Sequence, residues 1–197
     1  IYSTFYENSD HPNLAICHLE LGNYYITIGN FYLGLQNYKK SLDILKIFFN
    51  EAHPDIADCY YSIGNVQYMQ GRLSLALESY SESLRMRMSI FGENYLGVAE
   101  LYRQIAKLTF ESITFQNCKK IEITNSSQNV MAIESNNFFT NDHSNQSIDQ
   151  QENIIEYYMK AISIYQQILG SDSEKLKQVQ NELEKVRELK ENTRITE

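Results

Sequence analysis

The chain has 197 residues with 43% hydrophobic content, a formal net charge of −8, 8 Gly, 2 Pro, 3 Cys and no Trp. That length and apolar content suffice for one domain or one elongated array; they exclude a collagen-like chain and a disulfide-stapled mini-domain, and argue against overall disorder. No stretch approaches the roughly 20 apolar residues of a membrane span, and an acidic chain lacks the concentrated basic face of a phosphate-backbone binder.

In chain order, residues 1–10 come first, and Phe5-Tyr6-Glu7-Asn8 has the character of Phe48-Phe49-Asn50-Glu51 near the close of a later helix. The expectation is that 1–10 is the end of a preceding repeat and that the chain is part of a longer array. The repeat itself becomes visible at Pro12. Both prolines follow a histidine (His11-Pro12 and His53-Pro54), and they stand 42 residues apart. Sliding the chain by 42 also superposes Ala15/Ala57/Ala99, Leu21/Ile63/Ile105, Gly22/Gly64, Asn23/Asn65, Gly29/Gly71, Tyr38/Tyr80 and Ser41/Ser83. A fixed period of this size is the mark of a repeat architecture. Unit 1 is placed at 11–52 and unit 2 at 53–94.

Within unit 2, Ile56, Cys59, Tyr60, Ile63 and Val66 recur at spacings of three and four, an amphipathic helix. Pro54 opens it, where a missing N–H costs nothing, and His53 before it is pushed toward extended backbone. Gly71 ends it as a C-cap or tight turn. A second helix then runs through Leu73, Ala76, Leu77, Tyr80, Leu84 and Ile90 and stops at Gly92. Gly22 and Gly64 lie mid-helix, where glycine costs about 1 kcal/mol relative to alanine, so a neighbouring helix is expected to approach closely there.

Unit 3, placed at 95–170, opens on schedule with Val98, Ala99, Leu101, Tyr102, Ile105 and Ala106. It then leaves register through Asn-, Ser- and Gln-rich runs. The pattern resumes at Ile154, with Tyr158, Ala161, Ile162 and Gly170 matching Tyr80, Ser83, Leu84 and Gly92 at an offset of 78. The excess over one period is 36 residues, which predicts a disordered insertion at about 113–150 in the turn between two helices. Residues 171–197 read as a C-terminal capping helix, with capping residues at 171–174 and an apolar stripe at Leu176, Val179, Leu183 and Val186.

These residues resemble the tetratricopeptide repeat, which reads here as Leu21-Gly22, Tyr25, Gly29, Gly34, Tyr38, Ser41 and as Tyr60, Ile63-Gly64, Gly71, Ala76, Tyr80, Ser83. The 42-residue period with its His-Pro opening is similar to the kinesin-light-chain variety. The resemblance implies an all-α fold, an α-solenoid of antiparallel helix pairs forming a superhelix, closed by the C-terminal capping helix.

Little in the chain points to catalysis. His11 and His53 are turn residues, while His18 and His143 have no partner at metal-ligand spacing. Cys17 and Cys59 share one repeat position with Leu101 and read as packing residues, and Cys118 has no general base in view. No cofactor, no metal and no enzyme activity are expected. Three Cys without a close CxxC pair suggest a reducing compartment, hence the cytoplasm.

By the resemblance, the first helix of each pair lines a concave groove that binds peptides. Its groove-facing positions map to Leu19, Glu20, Asn23 and Thr27, then to Tyr61, Ser62, Asn65 and Met69, then to Arg103, Gln104 and Lys107. Asn23 and Asn65 stand where the family's amide grips a ligand backbone, with a donor and an acceptor together. Arg103 and Lys107, four apart, form a pair suited to an acidic group. The function expected is a protein-interaction scaffold or adaptor taking a protein or peptide partner, with no nucleic acid and no membrane as partner. The competing reading is a structural subunit of a larger complex, cytoskeletal or ciliary, held by its edges and its insertion.

Overall fold

A computed structural model of the chain describes residues 12–49, 52–126 and 143–195, with side chains over 12–49, 52–115 and 153–191. Among these residues there are seven α-helices and no strand. They are α1 (Pro12–Thr27), α2 (Phe31–Phe48), α3 (Pro54–Met69), α4 (Leu73–Phe91), α5 (Leu96–Ser126), α6 (His143–Leu169) and α7 (Glu174–Ile195). The end of a preceding repeat expected at 1–10 lies outside the described residues.

Local chemistry sets the helix ends. Pro54 occupies the first turn of α3, and His53 before it is extended at φ −127°, ψ 138°. The His53 ring accepts the Asp55 N–H through Nδ1 at 3.3 Å and stacks on Phe49 at 3.8 Å between centroids. The α1–α2 and α3–α4 turns are copies of one another. Gly29 (φ 78°) and Gly71 (φ 71°) take the left-handed conformation that side chains resist. Each turn is closed by a long bond from the following residue, Asn30 N–H to the Tyr25 carbonyl at 2.8 Å and Arg72 N–H to the Gln67 carbonyl at 2.9 Å.

The chain divides after Leu101 into two compact units. In the first, α1 packs on α2, α3 on α4, and α2 on α3. Tyr38, Leu42 and Leu45 of α2 share a buried cluster with Ile56, Cys59, Ile63 and Val66 of α3. The mid-helix glycines make room for aromatic rings. A Cβ on Gly22 would sit 2.5 Å from Tyr38 Cε1, and one on Gly64 would sit 2.7 Å from Tyr80. The small residues one turn further on tie the pairs together. Buried Ser41 donates to the Ala15 carbonyl at 2.7 Å, and buried Ser83 to the Ala57 carbonyl at 2.8 Å.

In the second unit α6 packs on α7, whose Leu176, Val179, Leu183 and Val186 are all buried. Tyr102 of α5 stacks on Tyr157 of α6 at 5.6 Å, with Lys160 Nζ 5.6 Å from the Tyr102 centroid and 5.9 Å from that of Tyr157. The edges of the expected 113–150 loop are helical. α5 continues to Ser126 and α6 begins at His143, which leaves only 127–142 outside the described residues. The reason is that polar composition does not stop a helix. Residues 113–126 and 143–150 hold no Gly or Pro, so an established helix extends at small cost per residue.

Candidate peptide-binding face

The nine residues singled out from the sequence fall on three helices. Glu20 and Asn23 lie on α1, Tyr61, Ser62, Asn65 and Met69 on the adjacent α3, and Arg103, Gln104 and Lys107 on α5. The first six belong to the first compact unit and the last three to the second.

The two asparagines are held alike. Tyr38 Oη donates to Asn23 Oδ1 at 2.7 Å, and Tyr80 Oη donates to Asn65 Oδ1 at 2.7 Å. Burial raises the pKa of both tyrosines above the ordinary phenol value, because a phenolate would lose its hydration there, so both hydroxyls remain donors. Ser62 hydrogen-bonds Tyr38 and offsets a part of that shift. With each carbonyl oxygen committed to a tyrosine, the Nδ2 group is the side of the amide turned away from it. On α1 it donates to Glu20 Oε2 at 3.5 Å. The pattern is thus a pair of oriented amide donors, 42 residues apart, on two neighbouring first helices.

Tyr61 serves as a platform. The Arg87 guanidinium lies 5.0 Å over its ring, and Tyr80 packs on it at 5.9 Å. Arg87 also donates to Asp58 Oδ1 at 2.8 Å and to the Gly97 carbonyl at 3.2 Å. Sequence reading passed over Arg87, since Asp58 stands 29 residues away and no local spacing connects them. Met69 is exposed at the end of α3.

The basic pair on α5 differs from expectation. Arg103 grips Glu182 of α7 with two bonds, Nε at 3.0 Å and Nη2 at 2.9 Å, and both side chains are mostly buried. Glu182 also accepts from Gln178 at 3.3 Å, and Lys107 stands 4.0 Å from Glu111. The acid that Arg103 was expected to receive from a ligand comes from its own chain, 79 residues on, beyond the reach of any motif.

Reactive groups elsewhere are in structural use. His18 Nδ1 hydrogen-bonds Asn37 Oδ1 at 2.9 Å, and Asn37 in turn donates to the Leu33 carbonyl at 2.8 Å. Cys59 is buried, with Sγ donating to Ser41 Oγ at 3.3 Å, and burial pushes its thiol up to about 11, the direction opposite to nucleophile activation. Cys17 is exposed. Among the described residues no group of three His, Cys, Asp or Glu is placed to hold a metal, and no helix is long and apolar enough to cross a membrane.

The repeated turn, glycine and tyrosine geometry agrees with the family comparison, in which residues 14–89 match the model of the tetratricopeptide repeat. These residues are tetratricopeptide repeats. Among solved structures, BtubC (BKLC) from P. vanneervenii superposes with a TM-score of 0.51 at 14% identity, over 92% of this chain and 66% of that one. A kinesin light chain candidate from Podosopora anserina with nearly identical TPR-like repeats gives 0.47 at 13% identity, over 94% of this chain and 96% of that one. No curated protein matches the sequence. The tetratricopeptide array is an all-α solenoid fold, and it supports protein interaction in general.

Proposed function

We propose that this chain is a non-catalytic scaffold or adaptor that binds a peptide or partner segment along the α1 and α3 face of its tetratricopeptide repeats. The observation that carries the reading is the equivalent setting of Asn23 and Asn65, each amide fixed by a buried tyrosine hydroxyl. Two donors oriented in advance lose little freedom on meeting backbone carbonyls, so less of the interaction is spent on ordering. Glu20, Ser62, Tyr61 and exposed Met69 lie on the same two helices, and Arg103, Gln104 and Lys107 on α5 are proposed as partner-binding positions of the second unit by itself. Arg103 takes part only if a ligand carboxylate displaces Glu182. The reading calls for no cofactor, and the cytoplasm is the compartment it suits.

A peptide-display library panned on the full chain tests this proposal. Selected peptides are expected to lose about tenfold or more in affinity, ~1.4 kcal/mol, for the Asn23→Ala/Asn65→Ala double variant. Peptides that bind both proteins equally would put the site elsewhere.

A second reading is a permanent subunit of a larger cytoskeletal or ciliary assembly. It is favoured by the apolar face of α1 on which Leu21, Tyr24 and Ile28 are exposed.

A further inference from the structure

A cavity of about 470 Å³ lies where α2, α3 and α4 come together. α2 and α4 both pack on α3, and all three helices line the space. Ile56 and Met86 belong to the buried core cluster, and Phe49 and Tyr60 pack against that cluster. The cavity thus reaches down to packed apolar side chains. Its volume falls in the range of small-molecule sites, about 300–1,000 Å³.

Among the described residues, its charged lining is Lys46, Glu82 and Arg85. Arg85 donates through Nε and Nη2 to one Glu82 oxygen, Oε2, at 3.2 and 3.1 Å. A guanidinium has five N–H donors, so this pairing leaves others for a second acceptor. Lys46 Nζ stands 5.3 Å from the Tyr60 ring centroid, an ammonium beside an aromatic wall. Two cations against one carboxylate give this lining a surplus of positive charge, in a chain whose formal net charge is −8.

The repeat separates ordinary packing from what is particular to this junction. At the 42-residue offset Phe49, Ile56 and Tyr60 become Phe91, Val98 and Tyr102, so the apolar walls belong to the repeat. The cations do not. Lys46 becomes Met88, and Arg85 stands where the preceding repeat has Asp43. Both cations are exposed, at the mouth of a cavity whose depth is apolar.

We infer that this cavity binds a small apolar monocarboxylate, a fatty or aryl-alkyl acid. The carboxylate meets Lys46 and Arg85, and the hydrocarbon lies against Phe49, Ile56 and Met86. A monoanion matches the surplus charge, whereas a dianion such as a phosphate monoester would also be repelled by Glu82. The site is independent of the peptide-binding reading. Tyr60 stands about 140° round α3 from Asn65, at about 100° per residue.

Octanoate is the probe, titrated into the full chain with isotope-labelled methionine methyls and followed by NMR. The Met86 methyl is expected to shift and saturate, while that of Met159, in the other compact unit, stays fixed. Affinity is expected to rise about threefold per methylene from butanoate to octanoate. Octan-1-ol, which keeps the chain without the charge, is expected to bind about fivefold more weakly or worse. Lys46→Gln and Arg85→Gln change exposed side chains, so melting is expected to hold while octanoate affinity falls about threefold or more. Glu82→Gln removes the like charge, and affinity is expected to rise, which damage to the fold would not produce. No saturable Met86 shift, or equal binding of octan-1-ol and octanoate, would overturn the inference. So would a peptide ending in a free leucine carboxylate that binds here about tenfold more tightly than octanoate, since the occupant would then be a chain terminus. Asn23→Ala/Asn65→Ala is expected to leave the octanoate response unchanged, which separates failure here from failure of the peptide-binding reading.

Discussion

The Tyr80 hydroxyl donates to Asn65 Oδ1 at 2.7 Å, while its ring lies where a Cβ on the preceding residue, Gly64, would meet it at 2.7 Å. One tyrosine therefore uses two consecutive residues of the facing helix. Glycine admits the ring, and asparagine takes the hydroxyl. The device recurs 42 residues earlier with Gly22, Asn23 and Tyr38, so the packing of each helix pair and the orientation of each candidate amide rest on the same contact.

Tyr80→Phe keeps the ring and deletes the hydroxyl, leaving Asn65 Oδ1 without that donor in a half-buried setting. A loss of about 1 kcal/mol in stability is expected, the usual net worth of such a bond. Peptides selected on the wild-type face are expected to bind more weakly, because the amide is then free to turn. Urea melts and titration of one selected peptide measure the two effects. Unchanged peptide affinity would mean that amide orientation has no part in recognition.

Gly64→Ala sets two effects of opposite sign against each other. Alanine gains about 1 kcal/mol of helix propensity. Its Cβ, however, would stand 2.7 Å from two ring atoms of Tyr80 and 3.3 Å from Ser79 Cβ. Overpacking a filled site costs roughly 1–3 kcal/mol, and displacing the ring also strains the bond to Asn65. The net result expected is a lower melting temperature, with Gly64→Arg lower still by a few kcal/mol. A rise in melting for Gly64→Ala would show that the ring yields freely.

Cys59 predicts an alkaline limit. Burial raises its thiol from the ordinary 9.0 to about 11, so the folded chain keeps a proton that the unfolded chain has released over that range. Unfolding then binds fewer protons than folding, and stability falls as pH rises through this window. Below about 9 the group has no effect. Tyr80, also raised by burial, adds to the loss above the ordinary tyrosine value of 10.0. Cys59→Ala is expected to flatten the pH 9 to 11 part of the curve, read from urea midpoints at stepped pH. An unaltered slope would assign the alkaline loss to other groups.

The sequence carried most of the fold because its signals were local and repeated. His53-Pro54, Gly29, Gly71 and the three-and-four spacing each act within a turn or two, and the 42-residue shift showed them twice. What stayed hidden acts at long range. Nothing near Asn65 indicates that a tyrosine 15 residues on orients it, and nothing near Arg87 points to Asp58. The insertion edges misled for another reason. Asn, Ser and Gln mark weak burial rather than helix breaking, and no Gly or Pro follows Gly97 in α5 to end it before Ser126.

Arg103 shows how such a long-range pair can be tested. Its two bonds to Glu182 join α5 to α7 with side chains 14% and 20% exposed. That degree of burial puts the pair between the near-neutral surface bridge and the costly interior one. Arg103→Ala leaves Glu182 with the Gln178 amide at 3.3 Å. A loss of about 1–2 kcal/mol is expected, smaller than for a fully buried charge left alone. Glu182→Ala is expected to cost a similar amount, and the double variant less than the sum, with a coupling of about 1 kcal/mol. The exchange Arg103→Glu/Glu182→Arg recovers part of the loss if geometry permits the fork in reverse. Urea denaturation of the four proteins of the cycle at low and high salt measures this. Additive single effects would mean that apolar packing of Leu176, Val179, Leu183 and Val186 holds α7 without help from the Arg103–Glu182 pair.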